Sequence, residues 1–87
     1  MTEETRVVIG QAEGLHARPA AEFVKLANRF RSTVRLELNG RQADGKSIMA
    51  VMALGANHGA EVGLRVEGED AEEALRALEA FLRGSGA

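Results

Sequence analysis

The chain has 87 residues, a formal net charge of −2 and no cysteine, and this length predicts one domain over residues 1–87 with a single modest core. The absence of cysteine excludes disulfides and thiolate metal sites, and two histidines alone are too few ligands to favour a zinc site. A nucleic-acid-binding protein would be expected to have a strongly basic face, of which this net charge gives no sign. No apolar run approaches the roughly 20 residues of a membrane helix. The acidic N-terminus lacks a signal-peptide pattern, so we expect a cytoplasmic protein. We also expect no cofactor.

The N-terminal third of the chain predicts a strand followed by a helix. Residues 5–9 are a strand candidate that ends at Gly10. A helix is predicted over residues 17–30, because apolar side chains recur there at helical spacing. Pro19 marks its start, since the φ of proline suits a first turn and its missing N–H is not needed there. The recurring apolar residues are Ala20, Phe23, Val24, Ala27 and Phe30.

Strict alternation of apolar and polar residues predicts two further strands, over residues 33–38 and 61–67. The pair Asn39-Gly40 is a strong hairpin signal, so residues 41–43 are expected to be a short return strand. A period of two means that only one face of the sheet is covered, which favours antiparallel pairing. The residues predicted to face the core are Val34, Leu36, Leu38, Val62, Leu64 and Val66.

Two more helices complete the predicted order, one over residues 47–54 and one that begins after Asp70. Asp70 is expected to cap the last helix with its side chain, and this helix stops at Gly84, where a short tail over residues 84–87 begins. The order is therefore βαββαβα. It predicts an α+β protein in which three helices cover one face of a four-stranded antiparallel sheet.

The middle helix has two apolar faces, and a helix of two turns on a small domain is too short to bury both. One interpretation is that only Met49 protrudes, while Ile48 and Met52 flank the core. The interpretation that we favour is an exposed apolar surface for partner docking, to which pliable methionines are suited. Ala50, Val51 and Leu54 form one face, and Ile48, Met49 and Met52 form the other.

The candidate reactive residue is His16, in the segment GLHARPAA at residues 14–21. His16 lies where a loop becomes a helix, so the backbone N–H groups of Ala17 and Arg18 and the positive helix end point towards it. With the guanidinium of Arg18, these groups make an anion site suited to phosphate. Nearby positive charge also favours a neutral, nucleophilic imidazole. The alternative is a histidine that caps the helix or fills a buried loop position.

A second motif, GRQADGKS at residues 40–47, matches the spacing of a nucleotide-binding P-loop. We interpret this match as accidental. Gly40 is already used by the hairpin turn, and the preceding strand has a polar face, whereas a P-loop follows a strand buried in a parallel sheet. A chain of 87 residues also leaves little room for a nucleotide pocket.

Two motifs in this chain resemble the HPr family: GLHARPA at residues 14–20 and KSIMAVM at residues 46–52. HPr is the histidine-containing phosphocarrier of the bacterial phosphoenolpyruvate:sugar phosphotransferase system. The resemblance extends over essentially the whole chain and implies an open-faced β-sandwich of βαββαβα order, which agrees with the order read from periodicity.

The resemblance also implies specific roles. His16 would be phosphorylated on Nδ1 by phosphorylated Enzyme I and would pass the group to IIA components of sugar transporters, with Arg18 beside the phosphoryl group. The chain would then be a carrier and not an enzyme with turnover of its own. Ser47 matches the serine that HPr kinase/phosphorylase modifies in the Gram-positive-like branch, where a catabolite-control transcription factor is a further partner; its local pattern also predicts a helix N-cap.

The family docks its partners where this chain has Ala17 and Ala21 in the first helix and Ile48, Met49 and Met52 in the middle helix. Phosphate on Ser47 would add negative charge beside this surface. Because the exposed apolar surface is small, we expect a monomer.

Two departures from the family pattern stand in this sequence. Ala50 replaces a common glycine, and Asn57-His58 replaces a stretch that more often contains lysine. We expect neither departure to touch His16, and we expect His58 to be a solvent-exposed loop residue.

Two alternative functions remain open. The first is a regulatory module that uses Ser47, although the intact His16 argues against it. The second is a paralogue of the nitrogen type with partners outside sugar uptake.

Overall fold

Alternating side chains and helical periodicity produce seven elements in the computed structural model, which describes residues 1–84. Most of the predicted tail, residues 85–87, lies outside the described part. In chain order the elements are β1 Thr2–Val8, α1 Ala17–Ala27, β2 Thr33–Leu38, β3 Arg41–Asp44, α2 Ile48–Leu54, β4 Glu61–Glu67 and α3 Ala71–Arg83. The predicted βαββαβα order and α+β class are confirmed.

The four strands form one antiparallel sheet in the order β1-β4-β2-β3. The register places Leu36 of β2 opposite Leu64 of β4, and Val34 opposite Val66. All four side chains are buried, so the alternating pattern of the sequence faces the core as predicted. Burying such aliphatic pairs on one sheet face is the main source of stability in a domain of this size.

The three helices cover the apolar face of the sheet. Helix α3 packs on β1 and β4, α2 packs on β3, and α1 contacts both other helices. Phe23 of α1 is fully buried, and its ring centroid lies 6.1 Å from that of Phe81 in α3. Aromatic rings in this tilted arrangement stabilise the contact between the two helices.

The other face of the sheet is open to solvent and carries charged side chains. Arg6 lies 3.7 Å from Glu37, and Arg65 lies 3.7 Å from Glu4, in exposed ion pairs. A shallow hollow on this face is lined by these side chains and Gly63. Exposed pairs of this kind contribute about 0–1 kcal/mol each, and their cations and anions are matched with one another. We therefore interpret this face as a solvated surface.

Two element boundaries differ by three residues from the sequence-based expectation, and the other differences are of one residue. Strand β1 begins at Thr2 and not at residue 5, because backbone pairing with β4 extends to its end, where Thr2 lies opposite Glu67. Helix α1 ends at Ala27 and not at residue 30. The Asn28 side chain donates a 2.9 Å hydrogen bond to the Val24 carbonyl, and the amide of Phe30 bonds three residues back, to Ala27. The amides of Arg29 and Phe30 bond three residues back instead of four, so the chain tightens and the regular helix ends.

The expectation that Asp70 caps α3 with its side chain is wrong. Asp70 occupies the N-cap position, but its carboxylate makes no cap hydrogen bond. It accepts hydrogen bonds from the backbone N–H groups of Arg31 and Ser32 and from the Ser32 hydroxyl. Asp70 therefore ties the loop before α3 to the loop before β2.

Candidate functional site

His16 is the N-cap residue of α1, with an extended backbone (φ −121°, ψ 161°). Its side chain makes no capping hydrogen bond and is half-buried. The ring therefore makes no capping hydrogen bond and is not fully buried, and its reactive role stays a prediction. It lies at the positive end of an eleven-residue helix.

The residues after His16 offer hydrogen-bond donors that nothing else uses. Within residues 1–84, the first-turn N–H groups of Ala17 and Arg18 have no hydrogen-bond acceptor, as is usual for a helix start. The guanidinium of Arg18 is exposed and has no ion-pair or hydrogen-bond partner among the same residues. Ala17 has a φ of +42°, a conformation that costs a non-glycine residue roughly 1–2 kcal/mol. Strain and unpaired donors thus coincide beside the ring.

The expectation that Asn57 does not touch His16 is wrong. The Nε2 atom of His16 lies 2.7 Å from the Oδ1 atom of Asn57, 41 residues away in the chain. An amide oxygen only accepts hydrogen bonds, so Nε2 is the donor and carries the proton. In the neutral ring the other nitrogen, Nδ1, then keeps a free lone pair.

The contact with Asn57 exists because two loops are held together by their backbones. The N–H of Leu15 donates to the carbonyl of Ala56 (2.8 Å), and Ile9 exchanges hydrogen bonds with Ala60 (2.8 Å) and Gly59 (2.9 Å). All three bonds connect the loop before α1 to the loop between α2 and β4. The ring of His16 and the amide of Asn57 are therefore positioned by a shared backbone framework.

Gly14 is required for the close approach of these loops. Its φ is +74°, and a Cβ atom there would lie 2.8 Å from the Ala56 carbonyl oxygen, 2.9 Å from the Cα of Asn57 and 3.1 Å from Cδ2 of His16. Any other residue at this position would be strained and would displace both the second loop and the ring.

Ser47 is the N-cap of α2, as predicted, and its hydroxyl accepts a 3.3 Å hydrogen bond from the Ala50 amide. The neighbouring Lys46 is not free to bind a nucleotide, because its Nζ donates to the Phe30 carbonyl at 2.8 Å. The amides of Gly45, Lys46 and Ser47 are also occupied by intramolecular acceptors. The P-loop spacing in this segment is therefore accidental.

The residues expected to dock partners lie on two adjacent helices, α1 and α2. Ala17 and Ala21 of α1 are exposed. Among the apolar residues of α2, Met49 is 77% exposed, Met52 41% and Ile48 40%, whereas the opposite face of the helix is buried through Val51 and Leu54. Docking at this surface stays a prediction.

His58 is exposed, as expected, and has no partner among residues 1–84. The described residues hold no cluster of histidine and carboxylate side chains able to bind a metal ion. None of the helices described for residues 1–84 has the length and apolar character needed to cross a membrane.

Within residues 1–84, the site combines the His16 ring with two amides that have no acceptor and a guanidinium that has no partner. Such a set can accept a phosphoryl group on the ring and stabilise its charge with charge-assisted hydrogen bonds. Among the described residues the ring hydrogen-bonds only the neutral amide of Asn57.

Comparisons with known proteins agree with this chemistry. A family model described as "PTS HPr component phosphorylation site" matches residues 3–84. The HPr-like protein Crh of Bacillus subtilis is 46% identical over 80 residues, which are 92% of this chain and 94% of that protein.

Solved structures of HPr and of Crh proteins are also similar to this chain. The phosphocarrier protein HPr from Bacillus anthracis is 43% identical, covers 93% of this chain and 96% of its own, and has a TM-score of 0.91. A crystal structure of Bacillus subtilis Crh, a dimer with a swapping domain, is 46% identical, covers 93% of each chain and has a TM-score of 0.80. The chain belongs to the HPr family of phosphocarrier proteins.

Proposed function

We propose that this chain accepts a phosphoryl group from phosphorylated Enzyme I on Nδ1 of His16 and passes it to IIA components of sugar transporters. The observation that carries the proposal is the position of His16, a half-buried ring at the start of α1. It is followed by two amides and an arginine that have no partner among residues 1–84. Each of these groups favours a bound phosphoryl group.

The transfer needs no group beyond those present in the two proteins. The Nδ1 lone pair attacks the phosphorus, the bond from phosphorus to the donor atom of Enzyme I breaks, and that electron pair returns to the donor. The amides of Ala17 and Arg18 and the Arg18 guanidinium stabilise the charge on the phosphoryl oxygens. On a IIA component the same step runs in the opposite sense, so the chain is a carrier without turnover of its own.

Partner binding is assigned to the exposed residues of α1 and α2. Ala17 and Ala21 lie on the helix that carries the site, and Ile48, Met49 and Met52 lie on its neighbour. Exposed methionines adapt to several partners, which a carrier between different proteins requires. Ser47 is the regulatory position: a phosphate there, added by HPr kinase/phosphorylase, places negative charge at the start of α2.

The similarity to Crh supports a second candidate function. Crh from Bacillus subtilis is described as a catabolite repression HPr, so a regulatory role through Ser47 and a transcription factor is the alternative for this chain. The intact His16 with its unused donors favours the carrier role. A nitrogen-type paralogue would keep the same site chemistry and differ only in its partners.

We further propose a single HPr-like domain over residues 1–87, located in the cytoplasm and monomeric. The exposed apolar surface is small, which supports a monomer, whereas the related Crh crystallises as a swapped dimer. Sedimentation equilibrium distinguishes the two: a mass of 9.3 kDa is expected for the monomer, and twice that mass contradicts it.

Reconstituted transfer tests the carrier role directly. Labelled phosphoenolpyruvate is incubated with Enzyme I and a IIA domain, with and without this chain. We expect label on IIA only when the chain is present, and no transfer through His16→Ala. His58→Ala is the matched control, because it removes an exposed imidazole outside the site and should transfer like the native chain. Transfer through His16→Ala at the native rate would contradict the proposal.

A further inference from the structure

The hydrogen bond between Asn57 and His16 occupies one of the two ring nitrogens. The Oδ1 atom of Asn57 is 2.7 Å from Nε2, close to the short end of the range for N–H···O bonds. The bond keeps the ring proton on Nε2 and fixes the rotation of the ring about its side-chain bonds. Nδ1 is the nitrogen next to Cγ, on the side of the ring nearer the backbone. It is left without a proton.

We propose that Asn57 is a positioning residue that holds the proton on Nε2 of His16 throughout the phosphoryl cycle. This inference rests on the proposed carrier function and adds to it a residue that the motif around His16 does not contain. Before transfer, Asn57 selects the tautomer in which Nδ1 is nucleophilic. Its role is exerted through the histidine, since its side chain bonds the ring and not the phosphoryl group.

Asn57 has a second effect once Nδ1 carries the phosphoryl group. If Nε2 keeps its proton, the ring departs as neutral imidazole when the N–P bond breaks, and the electron pair returns to Nδ1. If Nε2 has lost its proton, the ring must leave as the much more basic imidazolate. A carbonyl oxygen facing Nε2 stabilises the protonated form by hydrogen bonding. The ring can then accept and release the phosphoryl group without exchanging its own proton.

The amide of Asn57 is well placed for this role because its backbone is fixed. Its carbonyl accepts a 3.0 Å hydrogen bond from the Ala60 amide, and the adjacent Ala56 carbonyl accepts from Leu15. Among residues 1–84 no carboxylate bonds the ring. A neutral acceptor orients the imidazole without adding negative charge, which would oppose the incoming phosphoryl group.

The test is ¹⁵N NMR of the His16 ring at a mildly alkaline pH at which imidazole is neutral. The native chain, Asn57→Ala, Asn57→Asp and the control His58→Ala are compared. We expect a proton on Nε2 in the native chain, in Asn57→Asp, which keeps an acceptor oxygen, and in His58→Ala. In Asn57→Ala the ring should shift towards the tautomer mixture of a free imidazole, and transfer from Enzyme I should slow roughly 3- to 10-fold.

The outcomes separate this inference from the proposed function. The role of Asn57 would be overturned if the proton of the native ring resides on Nδ1. It would also be overturned if Asn57→Ala keeps both the native tautomer populations and the native transfer rate. Failure of Enzyme I to phosphorylate the native chain would overturn the proposed function instead. The NMR readout needs no partner protein and still decides the position of the proton.

Discussion

At the scale of single residues, the site depends on what surrounds His16 more than on the histidine itself. The local motif was enough to predict the helix start, because this start lies next to the ring, whereas the role of Arg18 stays a prediction. Asn57 could not be predicted, since it reaches the ring across 41 residues and only the folded backbone brings the two loops together. An asparagine in an exposed loop carries no signal of such a contact in the sequence.

Gly14 offers a prediction at this scale. Gly14→Ala should destabilise the fold by about 1–3 kcal/mol and slow phosphoryl transfer, because the added Cβ contacts the Ala56 carbonyl oxygen, the Asn57 backbone and the His16 ring. Urea unfolding and the rate of transfer from Enzyme I measure the two effects.

Gly59→Ala is the matched control for this substitution. Gly59 also has a positive φ (+89°), but a Cβ there meets nothing within 4 Å. Gly59→Ala should lower the stability through backbone strain alone and should accept the phosphoryl group from Enzyme I at close to the native rate. Equal transfer rates in the two variants would mean that the packing between Gly14 and the ring is unimportant.

At the scale of elements, sequence patterns predicted every strand and helix, with β3 inferred from the Asn39-Gly40 turn, and the errors lie at the ends of the elements. The alternation in β2 and β4 places the core residues correctly, because only one sheet face is covered. The end of α1 was misplaced because the amides of Arg29 and Phe30 bond three residues back and not four, an effect that apolar spacing cannot reveal. Helix α2 has one buried and one exposed apolar face, and the exposed one carries Ile48, Met49 and Met52, as the favoured interpretation of the sequence expected.

Ser47 provides the prediction for α2, because capping and charge can be separated at this position. Ser47→Ala removes the hydroxyl that accepts from Ala50 and should cost about 0.5–2 kcal/mol in urea unfolding. Ser47→Asn and Ser47→Asp both keep an N-cap acceptor and should retain near-native stability.

Only Ser47→Asp adds a negative charge beside the exposed residues of α2, so only this variant should transfer more slowly from Enzyme I. Ser47→Asn is its control, with a side chain of nearly the same shape and no charge. If the two variants accept phosphate equally fast, charge at Ser47 does not regulate docking.

At the scale of the whole molecule, the Ser32–Asp70 contact connects two loops whose residues lie 38 positions apart in the chain. The hydroxyl of Ser32, followed by the backbone N–H of Arg31, lowers the pKa of Asp70. The sequence suggested a helix cap at Asp70, and the N-cap position was correct. The carboxylate makes its hydrogen bonds across the fold because the α1–β2 loop supplies three donors at once.

This contact predicts a pH dependence of global stability. Because folding lowers the pKa of Asp70, its contribution is fully present above the unfolded-state pKa of about 3.9 and is lost as the pH falls through the lower folded-state value. Asp70→Asn should therefore have a lower Tm than the native chain at neutral pH, and the difference should shrink in strong acid.

Glu69→Gln is the control for this measurement, because Glu69 makes only an exposed 3.9 Å ion pair with Arg31. It should melt close to the native chain at neutral pH. The assigned role of the Asp70 carboxylate would be contradicted if the Tm difference between Asp70→Asn and the native chain is the same at neutral and at strongly acidic pH.

The position of the phosphate after reaction with phosphoenolpyruvate and Enzyme I tests the central claim most directly. We predict one acid-labile phosphoryl group per chain, with ³¹P and ¹⁵N NMR showing a bond from phosphorus to Nδ1 of His16, and no such signal in His16→Ala. Phosphate attached to Nε2 or to another residue, or a native chain that accepts none, would contradict the account.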